Sequence, residues 1–287
     1  MPDTLNPPPQ PTRVAYSTGR MLGAEDFQAE QDYHRGRLAR ALLQLVGTGT
    51  VSGLLVQTDG NADPLQLEIQ VTAGIALDRV GRIIEVPRTV CIVLQDWLAG
   101  YVQAWQAQQA GQSPGTPAIA DPNTAIHDGA NLMVDVFATF VSCTRGVTPC
   151  FTSQDDYDAT DAFSANRLLD SFAMQLVLRT DAVPNTPLDP WAGLGANQPS
   201  VASLQQSILT GTLGPQGSSA EYPPGFDSTA VFLARILVPA TAGTAGAPPA
   251  WDLTGFSATN IDNSKRLFVI PSSILARWNG LGSGRES

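Results

Sequence analysis

The sequence is short of the residues on which enzyme chemistry most often depends. Its 287 residues include only two histidines, His34 and His127, so acid–base or metal chemistry built on histidine has little material. The chain also lacks a Walker phosphate loop, a dinucleotide-binding glycine fingerprint after a strand and a paired-cysteine zinc pattern. We therefore predict no catalytic residues, no cofactor and no bound metal, and we expect a protein that is not an enzyme.

Positive charge is also scarce. The chain has 16 Lys and Arg against 26 Asp and Glu, and its densest basic cluster is Arg35, Arg37 and Arg40. Nucleic acid binding needs a basic stripe, so we expect no nucleic-acid partner. No apolar run approaches the ~20 residues that cross a bilayer, and the first residues lack the basic and apolar regions of a signal peptide. We expect assembly in the bacterial cytoplasm without direct membrane insertion.

Cysteine is sparse and odd in number, with Cys91, Cys143 and Cys150. Such a set favours reduced thiols over a disulfide framework. Because Cys143 and Cys150 flank a predicted turn, a bond between them in an oxidising medium stays open as an alternative.

Glycine and proline are plentiful, with 26 Gly and 22 Pro in a chain that is 43% hydrophobic, which indicates a folded protein rich in loops. Their distribution predicts four parts. These are an extended Pro-rich arm at 1–15, a helix with an antiparallel sheet at 16–110, a linker at 111–130, and a β-rich body with long loops at 131–287.

The most informative segment is an amphipathic helix that begins near Gly23 and ends near Val46. Acidic residues near its start and arginines near its end suit the helix dipole. Apolar residues recur at steps of three or four, which predicts that the helix docks through one face. We expect that face to seat the helix on the body and His34 to be structural. The residues assigned to packing or an interface are Phe27, Tyr33, His34, Leu38, Leu42 and Leu45.

Strand signals dominate the rest of the chain. Residues 74–86 read as two strands joined by a tight turn at Gly81. Residues 132–143 form a nearly continuous apolar run, typical of a central strand, and 171–179 and 230–238 are its expected partners.

A second amphipathic helix is predicted at 96–109, and long irregular connections are predicted at 144–164, 180–214 and 239–260. The fold class is therefore mainly β (α+β), with a β-sandwich-like or two-sheet body, a long N-terminal amphipathic helix and long loops.

One acidic loop could carry chemistry. It offers carboxylates at Asp155, Asp156, Asp158 and Asp161, but it lacks the turn glycine and the terminal glutamate of an EF-hand. A solvated turn is the default interpretation, and a cation site or a hydrolase centre is the alternative.

Two tryptophans, Trp191 and Trp251, lie in connections rich in proline and glycine. They could stack sugars in a receptor-binding protein, or they could anchor loops to the core or to a partner. We favour anchoring and assign both residues to packing or an interface.

Several motifs resemble a known group of proteins. Residues 17–27 (STGRMLGAEDF), 30–34 (EQDYH) and 71–86 (VTAGIALDRVGRIIEV) resemble the helix and following hairpin of baseplate and tail proteins from contractile phage tails and contractile injection systems. Residues 232–236 (FLARI) and 261–266 (IDNSKR) are similar to closing strands of such proteins. The N-terminal part is also distantly similar to the type VI secretion baseplate subunit with a phage-type shoulder domain.

This resemblance implies a non-enzymatic structural subunit of a phage-tail-like contractile particle, with a baseplate or fibre-attachment adaptor as the first interpretation. A cap-side adaptor of the same particle and a receptor- or carbohydrate-binding tail protein are the alternatives. The implied partners are other tail, baseplate or cap subunits and further copies of this chain. The implied location is a particle, either a virion or an injection system. The resemblance brings no catalytic residue set with it.

Overall fold

The computed structural model describes residues 12–61, 63–111, 118–149, 163–187, 206, 209, 221–244 and 246–270. The first half of the chain begins with a long helix and continues with short strands and a second helix. In order, these elements are α1 (Ala24–Val46), β1 (Gly49–Gly53), β2 (Val56–Thr58), β3 (Glu68–Val71), β4 (Gly74–Leu77), β5 (Ile83–Val86), β6 (Val90–Val93) and α2 (Leu94–Gln109).

The second half is built on three long strands with short strands around them. After a 3₁₀ turn at Pro122–Ala125 come β7 (Ile126–His127), β8 (Asn131–Pro149), β9 (Phe163–Leu178), β10 (Val231–Thr241), β11 (Ala250–Trp251), a 3₁₀ turn at Ala258–Asn260 and β12 (Ile261–Asp262).

The strands form three antiparallel sheets, which confirms the mainly β class with an N-terminal helix. Two small sheets have the orders β1-β4-β5 and β2-β3-β6. The large sheet has the order β11-β10-β8-β7, with β9 also paired to β8 and β12 to β10. The central position predicted for 132–143 is confirmed, because β8 pairs with both β9 and β10.

The large sheet is covered on both faces, which explains the nearly continuous apolar run of β8. Val134, Val136 and Ala138 belong to the main core, which also includes side chains of the two small sheets and of α2. Phe137 points to the opposite face and packs in a second cluster with Ala230 and Phe232. The main core contains residues from both sides of the predicted linker, of which the described part forms a 3₁₀ turn and β7.

The prediction of an irregular connection at 144–164 is wrong at both of its ends. Strand β8 continues to Pro149 and β9 begins at Phe163, so the two strands extend as a hairpin beyond the body. The segment after Cys143 is rich in threonine and valine, which favour extended backbone. Cys143 is therefore followed by a strand and not by a turn, and its thiol is free and exposed.

Candidate functional site

The start of α1 is fixed by acidic side chains. Asp26 accepts a hydrogen bond from the backbone N–H of Gly23 at 3.0 Å and forms an ion pair of 3.1 Å with Arg20. Glu25 also lies in the first turn, where negative charge interacts favourably with the helix dipole. The phenol of Tyr16 donates a hydrogen bond to Glu30 and ties the preceding segment to the helix.

The body holds α1 through two small residues and one leucine, and not through the predicted face. Gly36, Ala39 and Leu43 are the buried residues of the helix. Phe27, Leu38 and Leu45 are 51%, 57% and 85% exposed, so the prediction that they seat the helix is wrong. Tyr33 and Leu42 are half-buried, at the edges of the contact. Every buried residue lies in the second half of α1, and the first three turns contain none.

The outward side of α1 carries a regular row of exposed residues. We call this row the α1 stripe, and it consists of Phe27, Gln31, His34, Leu38, Ala41 and Leu45. His34 lies within 3.9 Å of Glu30 and packs edge-on against the Tyr33 ring. The stripe is apolar at both ends and polar in the middle. A surface of this kind is typical of a helix that contacts another chain.

The turn between β4 and β5 lies directly against the backbone of α1. Gly81 has φ +87°, and a Cβ placed on it would lie 2.0 Å from the carbonyl oxygen of Ala39. The helix backbone can therefore approach this turn only because residue 81 has no side chain.

The same turn is held rigid by its charged residues. Asp78 is fully buried, accepts hydrogen bonds from the N–H groups of Val80 and Arg82, and pairs with the Arg82 guanidinium at 2.5 Å. Arg82 also donates a hydrogen bond to the Thr229 hydroxyl at 2.8 Å, and its guanidinium lies over the Phe140 ring. The Asp-x-x-Gly-Arg sequence that carries the resemblance thus joins the helix, a small sheet and the large sheet.

Arg79 points from this turn into a buried polar cluster. It pairs with Glu221, donates to the Tyr222 hydroxyl at 2.8 Å, and lies over the Tyr222 ring. Tyr222 in turn donates to the carbonyl of Ala230 at 2.6 Å. Burial raises the pKa of Tyr222 far above its ordinary value of 10.0, so the phenol stays protonated and keeps donating.

A second buried cluster lies on the large sheet. Asp135 on β8 faces Arg235 on β10, with contacts of 2.7 and 2.9 Å, and it also pairs with Arg179. Arg179 makes two hydrogen bonds of 2.8 Å with Asp181 and one of 2.9 Å with the carbonyl of Glu221. These four charges share their hydrogen bonds with one another and hold the loops over the sheet.

Sequence reasoning missed this cluster, although a signal was present. Asp135 and Arg235 each interrupt an apolar run in strands that were already predicted to pair. A single charge in each of two neighbouring buried strands indicates a cross-strand ion pair, because an unpaired buried charge is strongly unfavourable.

A groove of about 720 Å³ lies at the C-terminal end of α1. Its apolar walls include Leu45, Phe268 and Ile270, and Arg266 lies in its floor. Arg266 donates to the carbonyl of Leu54 at 2.7 Å and to Asn263, and burial lowers its pKa to about 10. Asn263 bonds both backbone groups of Val56, so the segment resembling closing strands fastens β2.

The structure places some of the remaining candidates and leaves others outside the described residues. Trp251 packs on the main core and donates to Gln95 at 2.8 Å. His127 lies 3.0 Å from the carbonyl of Arg179. Trp191, Cys150, the acidic loop at 155–161 and most of the 1–15 arm lie outside the described residues.

Within the residues that the structure describes, no three His, Cys, Asp or Glu side chains are grouped so that they could hold a metal ion. No helix in that part of the chain is long and apolar enough to span a membrane.

Comparison with known proteins gives a weak result. No protein-family model matches the chain, and no curated protein matches it. Among solved structures, the chain is similar to one titled "Crystal structure of TssK", with a TM-score of 0.30 and 12% sequence identity. The similarity covers 85% of this chain and 41% of that chain, so this chain spans less than half of that protein's length. A likeness of this size carries no argument about function.

Proposed function

We propose that this chain is a non-enzymatic structural subunit of a phage-tail-like contractile particle, where it acts as a baseplate or fibre-attachment adaptor. The observation that carries the proposal is the α1 stripe. A helix that exposes Phe27, Leu38 and Leu45 and has no buried residue in its first half is arranged for contact with another chain.

The residues of the family resemblance support the same proposal. In the structure, Asp78, Gly81 and Arg82 build the turn that holds α1 in position. Asn263 and Arg266 fasten strands near the groove at the other end of the helix. The residues that carry the family resemblance therefore hold α1 in position for a contact with another chain, as expected of an adaptor.

The buried charges support a structural role as well. Asp135 pairs with Arg179 and Arg235, and the Glu221 carboxylate pairs with Arg79. Carboxylates paired with guanidinium groups in this way hold loops in place, which is a structural role. Trp251 is bonded to Gln95 and packed on the core, which favours the anchoring interpretation over a sugar-stacking surface at that residue.

The first experiment removes the chain from cells that produce the particle and examines the particles by electron microscopy. The proposal expects particles that lack baseplates or fibres. Uncapped or overlong tubes would move the subunit to the cap end. Intact particles would refute the proposal.

The second experiment tests the stripe with matched variants. Leu38→Asp places a charge on the stripe, whereas Leu65→Asp makes the same change at an exposed leucine far along the chain. Exposed substitutions usually change stability by no more than about 0.5 kcal/mol, so both variants should fold. We expect Leu38→Asp to be absent from purified particles and Leu65→Asp to be present. Equal incorporation would contradict a contact role for α1.

A further inference from the structure

The spacing of the α1 stripe has the period of a coiled-coil seam. Its residues follow one another at alternating steps of four and three, and all of them are exposed. A repeat of 3.5 residues keeps such a row facing a second helix along its whole length. The buried residues Gly36, Ala39 and Leu43 lie on the opposite side of α1, so a helix could dock on the stripe without displacing the body.

The charges of α1 favour a copy of the same helix. Its first half carries Glu25, Asp26, Glu30 and Asp32, and its second half carries Arg35, Arg37 and Arg40. An antiparallel copy therefore lays an acidic half against a basic half at both ends. A parallel copy would align the acidic halves with each other and stack one His34 on another.

We propose that two copies of this chain pair through the α1 stripe as antiparallel helices related by a two-fold axis. This inference rests on the proposed function, since it names the occupant of the surface that carries it. A two-fold interface must be self-complementary, and the stripe meets this condition in both shape and charge.

One register satisfies the seam and the charges together. Phe27 then packs on the partner's Leu38, Gln31 on the partner's His34, and Ala24 on the partner's Ala41. Beside the seam, Glu30 faces the partner's Arg37, and the axis repeats this pair. The next register along the seam sets Phe27 on the partner's Leu45, but it also sets Arg37 against the partner's Arg37, which is unfavourable.

The pairing is tested by charge reversal in sedimentation equilibrium at low salt. The wild-type chain should dimerise with rising concentration. Arg37→Glu turns two favourable exposed pairs into repulsive ones and should weaken the dimer by about tenfold. Glu30→Lys combined with Arg37→Glu should restore it. Glu30 and Arg37 are seven residues apart, too far to pair within one helix, so restoration can only come from contact between copies.

Arg88→Glu is the control, because it makes the same charge change at an exposed arginine between β5 and β6. It should dimerise like the wild type. If Arg37→Glu and Arg88→Glu weaken the dimer equally, or if the wild type stays monomeric at every concentration, the pairing is refuted.

Orientation is tested by cysteine cross-linking in a chain whose Cys91, Cys143 and Cys150 are replaced by serine. Ala24→Cys mixed with Ala41→Cys should form a covalent dimer on oxidation, and neither variant should do so alone. Cross-linking of each variant alone would overturn the antiparallel arrangement. A monomeric chain whose Leu38→Asp variant is still lost from particles would refute the pairing but not the proposed function. If the purified chain dimerises but cells that lack it still produce intact particles, the proposed function is refuted and the pairing is not.

Discussion

The close contact between Gly81 and α1 predicts how much stability a substitution at residue 81 removes. Replacing Gly81 with alanine has two separable costs. A residue other than glycine at φ +87° costs about 1–2 kcal/mol, because its Cβ crowds the neighbouring carbonyl. The new Cβ would also lie 2.0 Å from the Ala39 oxygen, and overpacking of this kind costs about 1–3 kcal/mol more.

The overpacking cost is similar in size to the free energy that holds α1 on the body. Full burial of a leucine side chain such as Leu43 contributes about 1.5–3 kcal/mol, and the first half of α1 adds no buried residue. The overpacking is therefore relieved more easily by releasing α1 than by distorting the sheet. We expect Gly81→Ala to loosen the helix while the strands stay folded.

Gly129→Ala separates the two costs. Gly129 lies in the turn between β7 and β8 with φ +68°, but no atom lies within 4 Å of the position of a Cβ. Both variants should lose about 1–2 kcal/mol in urea unfolding, and Gly81→Ala should lose more. Trypsin should cleave at Arg35, Arg37 and Arg40 faster in Gly81→Ala alone. If the two variants match in both assays, the close approach of the turn to α1 is refuted.

Two further predictions concern the buried polar clusters. Asp135→Asn removes the carboxylate that Arg179 and Arg235 share and should lower the free energy of unfolding, measured in urea, by about 3–5 kcal/mol. The control Asp181→Asn, at a partly exposed carboxylate, should lose less. Equal losses would contradict the buried pairing. Because its pKa is raised in the folded state, Tyr222 contributes stability below pH 10.0 that is lost as the pH rises further. Tyr222→Phe should therefore flatten the alkaline loss seen in urea unfolding and cost about 1–3 kcal/mol at neutral pH; an unchanged slope would refute this role.

The strands of the large sheet could be predicted because burial on both faces leaves a direct trace in the sequence. A continuous apolar run such as 132–143 fits few positions other than a buried central strand, and its partner strands are also rich in apolar residues. The turn at Gly81 could be predicted for a similar reason, since few residues other than glycine adopt its backbone conformation.

The seat of α1 could not be predicted by the same reasoning. Apolar periodicity selects the side with Phe27, Leu38 and Leu45, because large side chains dominate any measure of amphipathicity. The body instead approaches the helix backbone closely at Ala39, and the residues buried on that side are Gly36, Ala39 and Leu43. Two of these three residues are small and add little to apolar periodicity, whereas Phe27, Leu38 and Leu45 dominate it and are exposed. The helix therefore has two faces that can bury surface.

The hairpin of β8 and β9 affects how the purified protein behaves in solution. Beyond the reach of β10, its strands are paired only with each other among the described residues, so their outer backbone groups are open to another strand. Arg145 and Arg167 stand directly opposite each other there, and both are exposed. Their mutual repulsion weakens the hairpin slightly, and the positive charge of each strand adds a repulsion against a second copy of the same edge. Concentrated salt screens that repulsion, so the protein should precipitate more readily from high-salt buffers than its acidic composition alone suggests.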